Sequence, residues 1–254
     1  MKNRTVFIAG LFCVAFASLN CSQEQPSIQY ILPPFGDNIP GNYQLVAEAD
    51  FSSESCLNLF EFTDPSSWKP DDRHGRPCLN LIQGVGAYKP PVRSPFSFAL
   101  LKDLQVEDFI LEMDVESTDL AGGNHRDACF IFGFTARDSF YYVHVAAAAD
   151  SHAHNIFIVD KKPRVNIGAS ATKGVGWGKE VVHRIRIERT VADGRIAVYF
   201  NDMEKPVLEG NDTRLAKGNI GFGSFDNSCC FYEMRLYAPD VTRCEQSLFF
   251  TAKN

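Results

Sequence analysis

The sequence predicts an all-β protein, a sandwich or barrel, and three observations carry that expectation. From residue 57 onward, short runs rich in β-branched and aromatic residues recur between clusters of Gly, Pro, Asn and Asp, the rhythm of an antiparallel sandwich rather than of βαβ units. Several of these runs alternate apolar and polar residues, the period of a strand with one covered face. No stretch repeats its apolar residues at the spacing of an amphipathic helix.

The chain begins with a segment expected to direct it out of the cytoplasm. Lys2 and Arg4 precede an apolar stretch from Thr5 to Ala17, too short to span a membrane and of the length of a secretory h-region. Ala15-Phe16-Ala17 is an A-x-A cleavage site, while Ser18-Leu19-Asn20-Cys21 approximates a lipobox that would leave a lipidated Cys21 at the new terminus, with departures at Ser18 and Asn20. Residues 1–21 are therefore expected as signal, 22–50 as a Pro- and Gly-containing linker that ends in an extended arm, and 51–254 as one β-sandwich domain. The expected location is secreted or cell-envelope (periplasm or outer membrane), with a membrane contact only through the lipid.

Charge and cysteine content narrow the partners. A net charge of −6 argues against nucleic acid, which would call for a basic patch. Of the eight cysteines, Cys13 would leave with the signal, and if Cys21 is capped by lipid an even six remain, Cys56, Cys78, Cys129, Cys229, Cys230 and Cys244, as three disulfides or as buried thiols. Cys229 and Cys230 are adjacent and point to opposite faces of a strand, so each would need a different partner, and no CxxC pair or Cys/His cluster suggests zinc.

In chain order, 57–62 is a strand closed by the turn formers of 63–68, which places Trp68 near an edge, and 77–82 is the next. The segment 84–95, with Pro90, Pro91 and Pro95, cannot be a central strand because proline donates nothing to the ladder. Residues 108–116 alternate: Phe109, Leu111, Met113 and Val115 turn inward, while Asp108, Glu112, Asp114 and Glu116 turn outward on a half-exposed strand. The apolar run 128–134 reads as a strand covered on both sides. In 140–145, Phe140, Tyr142 and His144 share one face and Tyr141, Val143 and Val145 the other. Strands at 154–160 and 164–167 follow, then a glycine-rich loop carrying Trp177. Asp193-Gly194 joins 183–189 to 195–200 as a hairpin, and 219–225 and 230–237 complete the series.

Trp177, His183, Asp193-Gly194 and the run Gly218 to Gly223 stand in the order found in the closing strands of the concanavalin A-like lectin/glucanase superfamily, and residues 130–237 resemble that superfamily, including the laminin-G-like and 3-keto-disaccharide-hydrolase-like domains of secreted bacterial proteins. The resemblance implies a jelly roll of two curved antiparallel sheets with sugar on the concave face. The E-x-D-x-x-E signature of the superfamily's glucanases does not occur in the chain.

The candidate site centres on 140–160. Tyr142 and His144 could exchange protons in a lyase or orient a sugar hydroxyl. His154 and Asn155 could bond sugar hydroxyls, His125 and Arg126 could line a polar rim, Trp177 could stack on a sugar ring, and Arg93 could meet an acidic sugar. Asp150, His152 and His154 form a candidate metal set, and Asp150 with loop carbonyls a calcium site, though no cofactor is otherwise expected. Glu112 and Asp114, with Glu116, have the alternate spacing that puts carboxylates within side-chain reach on one face, as a glycosidase requires. No nucleophile elbow, P-loop or dinucleotide fingerprint is present. The expected function is a secreted or lipid-anchored carbohydrate-binding domain; the alternative is a glycoside hydrolase or polysaccharide lyase using His144 and Tyr142 or the acidic strand.

Overall fold

The computed structural model describes residues 32–244 and Phe249; the expected signal, Cys21 and the start of the linker lie outside the described residues. The strands, in chain order, are β1 (Gln44–Ala49), β2 (Phe60–Phe62), β3 (Trp68–Arg73), β4 (Arg76–Leu81), β5 (Ser97–Leu101), β6 (Asp103–Gln105), β7 (Phe109–Ser117), β8 (Asp127–Ala136), β9 (Ser139–Ala146), β10 (Asn155–Asp160), β11 (Val165–Asn166), β12 (Gly168–Ala171), β13 (His183–Arg189), β14 (Arg195–Phe200), β15 (Leu208–Asn211), β16 (Asn219–Ser224), β17 (Cys229–Ala238) and β18 (Thr242–Cys244). They form a nine-stranded sheet in the order β12-β15-β14-β13-β7-β17-β4-β3, with β1 also paired to β17, a seven-stranded sheet in the order β11-β10-β9-β8-β16-β5-β2, and a ribbon of β18 with β6. The fold is the expected all-β jelly-roll sandwich. Gln44–Ala49, within the stretch expected to end as an extended arm, is a strand of the larger sheet.

The main core lies between the sheets and takes its residues from alternate positions. Leu111, Met113 and Val115 of β7 and Ile185 and Ile187 of β13 meet Phe130, Val143 and Phe222 of the facing sheet. Trp68 belongs to this core, its ring within 6 Å of those of Phe62, Phe222 and Phe231. The Asp193-Gly194 turn joins β13 to β14: Gly194 has φ +73°, and a Cβ there would stand 2.9 Å from the backbone of Asp212, so glycine is required twice over.

Both outer faces are covered, and this overturns one sequence expectation. The outward carboxylates of β7 are not a solvated row; Glu112, Asp114 and Glu116 are each 1% exposed. In the β7–β13 ladder Glu112 faces Arg186 and Asp114 faces Arg184. The segment before β1 lies across these pairs: Arg184 Nη1 donates to the Pro33 carbonyl at 2.7 Å, Arg186 Nη1 to the Asp37 carbonyl at 2.6 Å, and the Gly36 N–H to Glu112 at 2.7 Å. The Phe35 ring covers the guanidinium of Arg184. Alternation therefore gives the faces correctly and the exposure wrongly, because the cover comes from a distant part of the chain.

The outer face of the seven-stranded sheet carries a second apolar layer of Phe98, Phe134, Phe140, Tyr142, Phe157 and Phe225. The proline-rich segment 84–96 crosses it, with Tyr88 packed on Phe98, and Phe249 closes the remaining side. At Gly84 a Cβ would lie 2.2 Å from the Asp226 backbone, so this strap passes only because the residue has no side chain. The six cysteines among the described residues are free thiols, four of them buried.

Candidate functional site

The seven-stranded sheet gathers Tyr142 and His144 with two residues that sequence reasoning did not join to them. His144 on β9 is the ladder partner of Cys129 on β8, and Asp127 lies two residues earlier on the same face. One donor atom from each of Asp127, Cys129 and His144 falls within 4.8 Å of the others, and all three residues are buried. His144 Nε2 stands 3.1 Å from Asp127 Oδ2, a distance suited to an ion pair but without hydrogen-bond alignment, and neither ring nitrogen has a hydrogen-bond partner. The Phe225 ring stacks on the imidazole at 5.7 Å and 10°. Asp127 Oδ1 holds Phe225 in place by accepting the Ser224 hydroxyl and the Phe225 N–H.

Above this cluster sits a second layer. The Arg164 guanidinium lies 4.3 Å from the Phe225 ring centre and 4.8 Å from that of Phe157, and it donates to the Tyr142 hydroxyl at 2.6 Å. Arg93 stands over the same Phe225 ring at 5.4 Å, and its carbonyl accepts the Arg164 N–H. Burial holds the Tyr142 phenol well above its ordinary pKa, so it remains protonated. Tyr142 is fully buried and His144 is 5% exposed. As proton-transfer or sugar-binding groups they were expected at the surface; Phe225, stacked on His144, and Arg164, bonded to the Tyr142 hydroxyl, put them beneath it.

The other candidates separate. His154 is fully buried with φ +50°; its Nδ1 accepts the Ala146 N–H at 3.3 Å and its Nε2 meets the Thr172 hydroxyl at 2.9 Å. Burial, with a smaller contribution from His144, lowers its pKa to about 4. The Asn155 side-chain oxygen accepts its neighbour's N–H. Asp150 accepts the N–H groups of His152 and Ala153 at 2.6 and 2.7 Å, a turn in which the carboxylate is already engaged and its pKa lowered, first by the His152 N–H. His152 is exposed while His154 points into the protein, so the expected Asp150–His152–His154 metal set is not assembled. Among the described residues, Asp127, Cys129 and His144 are the one group with three metal-capable donors together.

Arg126 binds the Ser117 and Gly178 carbonyls at 2.7 and 2.6 Å and ties two loops together, while His125 is exposed on a short turn. Trp177, expected as a stacking platform, is 2% exposed, donates its indole N–H to the Arg126 carbonyl at 3.1 Å, and packs edge-on against Phe200. It plugs the core. Glu112 and Asp114 lie on the outer face of the nine-stranded sheet, across the sandwich from His144, and are engaged by arginines. They are not placed as a catalytic pair facing solvent. Asp127, next to the expected rim residues His125 and Arg126, is buried, and the signal that could have found it is its i, i+2 spacing to Cys129 at the start of a doubly covered strand.

No protein-family model matches this chain, and no curated protein matches it in sequence. Among solved structures, a Bacillus subtilis protein of unknown function with a galectin-like fold superimposes with a TM-score of 0.51, at 11% identity, over 80% of this chain and 100% of that one. The chain has a concanavalin A-like jelly-roll fold. Other similar structures are the carbohydrate binding module CBM66 from Bacillus subtilis (TM-score 0.47, 18% identity, 68% of this chain and 92% of that one) and peanut lectin (TM-score 0.47, 11% identity, 79% and 98%). In this jelly roll the strap 84–96 and the Phe225 turn lie over the seven-stranded sheet, so what reaches solvent there is the margin carrying Arg93.

Proposed function

We propose that this protein is a secreted or envelope-anchored glycan-binding jelly roll that takes an acidic sugar at the margin of its seven-stranded sheet. The observation that carries the reading is the pair of guanidinium groups, Arg93 and Arg164, over the single ring of Phe225. Arg164 is held by one hydrogen bond to Tyr142 and by two aromatic rings, so little side-chain entropy is lost when its remaining donors meet a carboxylate or sulfate. A planar fork of donors suits a charged sugar substituent, and the flanking aromatic surface suits a sugar ring. Solved structures with lectin and carbohydrate-binding-module names share the fold, which agrees with the reading. Binding is preferred to catalysis because Glu112, Asp114, Tyr142 and His144 are all buried.

A glycan array comparing uronate-containing and sulfated oligosaccharides with neutral ones tests the proposal. Acidic glycans should bind, and Arg164→Ala and Arg93→Ala should each weaken them about tenfold or more, the loss of one charge-assisted contact. Acidic-glycan binding that survives both substitutions, or no acidic-glycan binding at all, would sink it. New reducing ends or unsaturated products from a bound glycan would favour the hydrolase or lyase reading instead. Mass analysis of the membrane-fraction N-terminus for a diacylglyceryl group on Cys21 tests the anchoring.

A further inference from the structure

We propose that Asp127, Cys129 and His144 bind a thiophilic divalent cation, zinc above all, within the outer layer of the seven-stranded sheet. The donor set is an imidazole nitrogen, a thiol sulfur and a carboxylate oxygen, the three protein ligand types zinc uses. Two observations point to a ligand independently of that composition. The first is the state of His144: the imidazole is 5% exposed, and both ring nitrogens lack a hydrogen-bond partner, an arrangement rare for a buried polar group. The second is the way Asp127 divides its oxygens. Oδ1 carries the orienting hydrogen bonds from Ser224 and Phe225, while Oδ2 is turned to His144. A ligating carboxylate is oriented by its outer partners in this manner.

The spacing agrees with a cation between the groups. Two ligands at zinc distances and the tetrahedral angle stand about 3.3 Å apart. Nε2 and Oδ2 are 3.1 Å apart, too misaligned to share a proton and suitably placed to share a metal. Cys129 and His144 are ladder partners, so the β8–β9 register fixes them opposite each other, and the Cys229 thiol anchors the start of β8 by donating to the Asp127 carbonyl at 3.0 Å. Backbone pairing thus holds the donor set together before any metal arrives. A soft sulfur ligand favours zinc over calcium or magnesium, which take oxygen ligands. A non-protein oxygen completes the coordination.

The cluster lies beneath the Phe225 ring, but the proposal does not rest on the glycan reading and its test uses no glycan. The secreted chain, stripped with chelator under reducing conditions, is titrated with cobalt(II) and then with zinc(II). One equivalent of cobalt should give the thiolate-to-cobalt charge-transfer band and the strong visible absorption of a tetrahedral site, and zinc should abolish both. Cys129→Ser should remove the charge-transfer band, and His144→Gln should weaken zinc by more than the roughly 10–100-fold that loss of an outer-shell partner costs. Cys78→Ser and Cys230→Ser, which lie on the other sheet, should leave the spectrum unchanged. Zinc-edge X-ray absorption of the unmodified chain needs no variant to fold, and should resolve one sulfur among nitrogen and oxygen neighbours. A cobalt spectrum without the thiolate band, a zinc shell without sulfur, or a band that persists in folded Cys129→Ser would overturn the proposal.

Discussion

Arg184 and Asp114 sit opposite each other in the β13–β7 ladder, and the guanidinium donates to that carboxylate beneath the Phe35 ring. Asp114 also accepts from Arg76 at 2.8 Å, so one buried carboxylate serves two strands on either side of β7. Removing the acid leaves Arg184 buried without its charge partner. Asp114→Ala should lower stability by about 3–5 kcal/mol, whereas the double change Asp114→Leu with Arg184→Met should recover most of it. Urea unfolding of the three proteins measures this, and equal loss in the single and double variants would contradict it.

Phe35 joins the segment before β1 to the nine-stranded sheet, its ring over Arg184 and 4.8 Å from the guanidinium carbon of Arg235. Phe35→Ala removes both contacts and uncovers the ion pairs. A loss of roughly 1–3 kcal/mol is expected from cation–π and packing contributions together. Hydrogen exchange should show faster opening of Gly36, whose N–H is donated to Glu112, with the β8–β9 ladder unaffected.

His154 gives the protein an acid-sensitive point. Its folded pKa of about 4 lies below the unfolded value near 6.5, so the stability it contributes is complete above pH ~6.5 and is lost as pH falls from there through 4. The physical cause is burial, and a protonated ring could no longer accept the Ala146 N–H at Nδ1. His183 is shifted the same way by burial and adds to the trend. Thermal unfolding should show Tm falling between pH 6.5 and 4, and His154→Gln should flatten that fall. An unchanged slope in the variant would assign the acid sensitivity elsewhere.

Trp177 reports on the core rather than on ligand. Its ring packs against Phe200 and His183, and its indole N–H is used by Arg126. Trp177→Ala should cost about 3–5 kcal/mol, the range for removing a large buried aromatic. Trp177→Phe should keep the fold and leave glycan affinity within a factor of about two, since an indole in the core contacts no bound sugar. A tenfold loss of affinity in a folded Trp177→Phe protein would restore the stacking role.

The strands and their faces were legible in the sequence because strand periodicity depends only on local alternation. Phe140, Tyr142 and His144 share a face as expected, and Asp193-Gly194 turns the expected hairpin. Exposure was not legible, because it depends on what crosses the face from elsewhere. The arm at 33–38 covers Glu112 and Asp114, Phe225 covers His144 and Arg164 covers Tyr142, across sequence separations that no local pattern encodes. The same limit explains the metal candidates. Spacing suggested Asp150, His152 and His154, which are near in sequence, while the ladder between β8 and β9 brings Cys129 to His144 from 15 residues away.

The bonds from Arg184 and Arg186 to the carbonyls of Pro33 and Asp37 have a directional consequence. They fasten residues 33–38 flat across the outer face of the nine-stranded sheet, while Arg93 and the Phe225 turn stand on the far side of the sandwich. The two faces are set back to back, so a change made under one reaches the other only through the core between them.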